Sequence, residues 1–213
     1  MKKKIAFWVL ALFIMSVSSA LANLDDNRTS MAAKYGEYRL VIDKAGHLWT
    51  RADWESGVST KSKAGAYVYY FTRSGLNMQM EVQYEGDNPD SRVTIQRVTP
   101  DSEIKIQDFK DYFPEVYALT IVPQAQVFAT RRELTRNFKT NHSPVTLGVL
   151  VNGIPAGKGA YSTLMAFNVQ APGQLIKDPK DISKDLYIHE FTIERADEMS
   201  AVNRGGETIK SPF

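Results

Sequence analysis

Residues 67–84 read YVYYFTRSGLNMQMEVQY, and the register of this stretch decides the fold. Its second half alternates. Met78, Met80, Val82 and Tyr84 are interleaved with Asn77, Gln79, Glu81 and Gln83. Period two gives a strand with one buried face and one wet face. A two-residue turn at Ser74-Gly75 sets Phe71 opposite Met78, Tyr69 opposite Met80 and Tyr67 opposite Val82. The apolar faces then coincide. A slip of one residue would put Tyr70 and Val68 on the methionine face instead. The stretch therefore predicts a core hairpin, with Tyr70 on its wet side.

Working outward, further strands are expected at 38–43, 47–52, 92–98, 116–122, 125–131, 144–151, 160–170 and 186–194. Turn residues separate them, among them Lys44-Ala45-Gly46, Gly86 to Asp90, Pro100-Asp101 and Pro172-Gly173. Short helices are expected near 23–36, 107–113 and 194–203. The first would be capped by Thr29 or Ser30 and stopped by Gly36. Strands follow one another without regular intervening helices. The expected fold is mainly β, an antiparallel sandwich or barrel-like sheet with two or three short helices, with α+β as second choice. The expected division is a signal peptide over 1–22, a single β-rich domain over 23–204 and a flexible tail over 205–213.

The signal peptide is read from three parts: Lys2 to Lys4, an apolar run from Ile5 to Met15, and small residues ending at Ala20 and Ala22. The apolar run is short for a membrane span, which needs about 20 residues. The mature chain is thus expected to start at Asn23, exported to the periplasm or secreted. Removing three lysines from 26 basic residues leaves 23 against 24 acidic ones. This near-neutral balance offers no general attraction for nucleic acid or an anionic membrane. The chain has no cysteine, so neither a disulfide nor thiol catalysis is available.

The motifs are mostly near misses. VNGIPAGKGAYS, 151–162, resembles a phosphate loop, but Asn152 stands where the first glycine belongs and Gly159 where the hydroxyl belongs. It reads better as a connection between strands, with a turn at Asn152-Gly153. His47, His142 and His189 are far apart in sequence. His189-Glu190 begins a zinc motif that Ile193 breaks. None of the three histidines has an evident orienting neighbour. Asp87 and Asp90 lie in a turn without the calcium-loop pattern. No G-x-S-x-G elbow is present. No catalytic residue, metal or cofactor is therefore assigned.

Six residues remain as ligand-binding candidates. Trp54 and Tyr70 would be exposed aromatic platforms for a sugar ring or a protein surface. Arg132, Arg136 and Lys139 would share one basic face if 130–142 is helical. Lys158 sits in the glycine-rich loop, where binding groups concentrate. The expected function is an exported module of the bacterial envelope that recognises an envelope protein or glycan through loops and strand edges. An exported hydrolase is the alternative, and a small outer-membrane barrel a distant third.

Overall fold

The computed structural model describes residues 24–57, 62–123, 125–131, 145–156, 159–170, 181–196 and 207–213. The hairpin is present as β3 (Ala64–Arg73) and β4 (Leu76–Tyr84). Tyr67 pairs with Val82, Tyr69 with Met80 and Phe71 with Met78, the expected register. Ser74 and Gly75 both have positive φ, 49° and 82°. Two left-handed residues give a turn whose twist matches that of the strands. Next to β4 lies β5 (Val93–Pro100), with Gln79 opposite Thr99 and Glu81 opposite Arg97.

The other strands are β1 (Leu40–Asp43), β2 (Leu48–Thr50), β6 (Ile104–Lys105), β7 (Gln126–Arg131), β8 (Val145–Ala156), β9 (Gly159–Gln170), β10 (Tyr187–Ala196) and β11 (Glu207–Thr208). They form one antiparallel sheet in the order β11-β7-β8-β9-β10-β5-β4-β3-β1-β2, with β6 also pairing β10. Among the described residues, the sheet stays open and does not close into a barrel. It is a sandwich-like β fold, with short helices over one face. No helix among the described residues is long and apolar enough to cross a membrane.

Two aromatic clusters fill the covered face. Helix α1 (Arg28–Tyr35) lies over the first. There Tyr35 packs on Tyr69 and Phe71, and Tyr67 on Tyr38 and Tyr84. Arg28 Nη1 donates to Tyr67 Oη at 2.9 Å and fastens the helix to the hairpin. The second cluster joins Phe109, Phe113, Phe167 and Phe191, all buried. Most burial is on this face, although Val68, Leu150 and Leu164 are buried on the other.

Several sequence expectations are corrected. Residues 116–122, expected as a strand, belong mostly to a helix. A 3₁₀ turn (Ile106–Asp108) leads into α3 (Phe109–Tyr112) and α4 (Pro114–Thr120). Pro114 occupies the first turn of α4, where its fixed φ and missing N–H favour a helix. Phe109, Phe113, Val116 and Thr120 recur at helical spacing and are buried. Residues 47–52 divide between β2 and the helix α2 (Arg51–Glu55), because Thr50 Oγ1 accepts from Asp53 N and caps it. Helix α1 is capped by Asn27, not Thr29 or Ser30. Ser30 instead closes a reciprocal capping box, and Gly36 ends the helix as expected. Asn152-Gly153 is not the turn of the β8–β9 hairpin. The pairing skips there, a bulge, and resumes with Ile154 opposite Tyr161 and Ala156 opposite Gly159. Strand β10 runs to Ala196, over the start of the helix expected at 194–203. The expected signal peptide lies outside the described residues.

Residues 207–213, expected as part of a flexible tail, are docked. Glu207 pairs with Ala129 and Thr208 with Phe128, and Ile209 N donates to Val127 O at 3.2 Å. The ring of Phe213 lies 4.9 Å from that of Phe167 and also meets Phe109 and Tyr117.

Gly148 marks a close approach between neighbouring strands. A Cβ there would lie 2.3 Å from the ring of Phe128 on β7. Gly148→Ala is expected to cost about 1–3 kcal/mol by overpacking. In a Phe128→Ala background the same change should cost far less. Urea denaturation of both pairs measures this, and equal costs would show that the ring is not the obstacle.

Candidate functional site

The outer face of the hairpin carries an open cleft of about 480 Å³. Strand register builds it. Tyr70 lies opposite Gln79, Thr72 opposite Asn77, and Gln79 opposite Thr99. These five residues of β3, β4 and β5 share one face because side chains alternate along a strand. Asp101 N donates to Asn77 O at 2.9 Å, which brings the Asp101 carboxylate to the same edge.

Tyr70 heads the cleft with 47 % of its surface exposed, on the wet side as expected. Its hydroxyl donates to Gln79 Oε1 at 3.4 Å. Thr72 Oγ1 donates to Asn77 Oδ1 at 3.0 Å, and Asn77 Nδ2 donates to Asp101 Oδ2 at 2.9 Å. Beyond the cleft the polar row continues across the sheet. Glu81 pairs with Arg97 at 3.3 Å, Arg97 approaches Glu190 at 3.9 Å, and Asn168 Nδ2 donates to Glu190 Oε1 at 2.8 Å. Among the described residues, the cleft lining holds one carboxylate, Asp101, and no cation.

The other candidates are not gathered there. Trp54, expected as an exposed platform, is half-buried in α2 and packed against the core. Its apolar area serves the fold before any ligand. Arg132, Arg136, Lys139 and Lys158 lie outside the described residues, as does His142. Sequence reasoning missed Thr72, Asn77, Gln79, Thr99 and Asp101 as a group. The hairpin register carried part of the signal, since it already placed Gln79 opposite Tyr70.

Two histidines have environments the sequence did not announce. His189 sits where the β9–β10 pairing shifts, between Ile188 and Glu190, and its Nδ1 is buried without a hydrogen-bond partner. His47 is oriented after all: its Nδ1 lies 3.2 Å from Asp43 Oδ2. The imidazole stands on an exposed turn, away from the cleft lining. Among the described residues, no three His, Cys, Asp or Glu side chains group as a metal site would require.

Asp43 is the hub of that turn. Its carboxylate is buried and accepts from Ala45 N, His47 N and Trp49 Nε1. Burial pushes its pKa up, but hydrogen bonds from Trp49, the His47 backbone, Ser62 and the His47 ring outweigh this and hold it well below the usual range. The folded pKa is below the unfolded value of about 3.9. The contribution to stability is therefore present above about pH 4 and lost as pH falls through the folded value. Asp43→Asn should lower the melting temperature near neutrality and flatten the loss of stability below about pH 4. Parallel acid profiles for the variant and wild type would show that Asp43 is not responsible.

No known protein family matches this sequence, and no curated protein or solved structure matches it.

Proposed function

We propose that this chain is an exported binding module of the bacterial envelope, recognising a protein or glycan through the outer face of β3, β4 and β5. One observation carries the reading: a cleft headed by a half-exposed tyrosine on a face that the helices leave open. A large aromatic ring at such a position gains most from water removal when a partner covers it. Export is supported by the tripartite N-terminus. A hydrolase would need convergent catalytic groups in a cleft, such as a histidine with carboxylates. Among the described residues, this cleft is lined by one carboxylate, Asp101, and by no histidine.

The test immobilises the mature protein and exposes it to solubilised native envelope. Wild type should retain material that Tyr70→Ala does not. Lys110→Ala, an exposed change on α3 away from this face, should behave as wild type. Equal retention by the wild-type and Tyr70→Ala proteins would move recognition off this face. Exported protein that still began at Met1 would remove the signal-peptide part of the proposal.

A further inference from the structure

We infer that the Tyr70 cleft is a subsite for a neutral saccharide, an inference that rests on the binding-module reading above. Three independent properties select this ligand chemistry.

The first is shape. The Tyr70 ring is half-exposed, and the cleft volume of about 480 Å³ is that of a small-molecule site. A sugar ring presents a face of C–H groups that can lie on an aromatic ring, with hydroxyls projecting at its rim.

The second is the alternation of donors and acceptors. Thr72 donates to Asn77 Oδ1, which leaves the amide nitrogen of Asn77 directed at Asp101. That chain fixes the orientation of the Asn77 amide. An amide nitrogen carries two N–H groups and a carboxylate about four acceptor positions, so each retains capacity after these bonds. Gln79 accepts from Tyr70 and donates to Glu81 Oε1 at 3.4 Å, both long bonds that a ligand can replace. Hydroxyl groups both donate and accept. A pair of adjacent sugar hydroxyls therefore matches the Asn77–Asp101 edge, whereas an acceptor-only ligand would not.

The third is charge. Among the described residues, the lining offers a carboxylate and no cation, which disfavours phosphate, sulfate and uronate groups.

The experiment titrates the mature protein with neutral tetrasaccharides of glucose and of N-acetylglucosamine, and with a sulfated tetrasaccharide, by calorimetry and protein NMR. At least one neutral saccharide should bind, with shifts at residues of β3–β5. Tyr70→Ala should weaken it by about tenfold or more, equivalent to about 1.4 kcal/mol. Tyr70→Phe, which keeps the ring, should stay within about threefold. Asn77→Ala should weaken binding without moving the melting temperature of this exposed site. The sulfated ligand should bind more weakly. No neutral binding up to about 10 mM, or binding indifferent to Tyr70→Ala, overturns the inference. If envelope material is still retained in a Tyr70-dependent way, the saccharide inference fails and the module reading stands. If retention is also indifferent to Tyr70, both fail.

Discussion

Tyr69→Ala is expected to destabilise the protein by about 3–5 kcal/mol, and Tyr70→Ala by about 0.5 kcal/mol or less. The two tyrosines are adjacent in sequence and opposite in environment. Tyr69 is 1 % exposed, while Tyr70 is 47 % exposed. The Tyr69 ring packs edge-on against Tyr35, and its hydroxyl meets Tyr84 Oη at 2.9 Å. Truncation would open a cavity opposite Met80 and leave the half-buried Tyr84 hydroxyl without that partner. Burial pushes the Tyr84 phenol far above its ordinary pKa. Tyr69→Phe separates the two parts, since it removes the hydroxyl and keeps the ring. It should cost about 1 kcal/mol. Urea denaturation of the three variants gives the comparison. Similar losses for Tyr69→Ala and Tyr70→Ala would mean that the strand pairs in the other register.

That register was legible because all its determinants lie within residues 67–84: an alternating strand, an apolar partner and a turn pair. Other features needed information from farther away. The run at 116–122 is apolar except for Thr120, so its periodicity does not separate strand from helix. The helical spacing appears only when Phe109 and Phe113 are counted with it. Asn152-Gly153 has the composition of a turn, but continued pairing of β8 with β9 absorbs it as a bulge. The candidate site was half legible. Tyr70 and Gln79 follow from the hairpin, whereas Thr99 and Asp101 join only when β5 pairs with β4. Asp43 and His47 are close in sequence, yet their pairing depends on the tight turn that Asp43 itself organises. The docking of Phe213 was invisible for a plainer reason. Its aromatic neighbours come from α3, α4 and β9, and no local pattern in a polar terminal segment reports them.

The same aromatic cluster yields the second large effect. Phe109→Ala should cost about 3–5 kcal/mol. Its ring is fully buried and lies 5.2 to 5.4 Å from Phe113, Phe167 and Phe191. Those neighbours come from α4's N-terminal boundary, β9 and β10, so one truncation loosens the helical layer and the sheet together. Arg73 connects this region to the hairpin, through Glu115 at 2.8 Å and over the Phe113 ring at 5.2 Å. A shifted α3–α4 unit would therefore weaken that tie as well. Phe213 touches Phe109 and Phe167 but is only partly buried and is held from one side by a short strand pairing. Phe213→Ala removes a similar side chain from a place that water already reaches, and should cost less than half as much as Phe109→Ala. Equilibrium unfolding of the two variants in urea distinguishes these positions. If Phe213→Ala cost as much as Phe109→Ala, the terminal segment would be part of the core and not a strip laid over it. If Phe109→Ala cost under about 1 kcal/mol, the cluster would not be the packing centre of the helical layer.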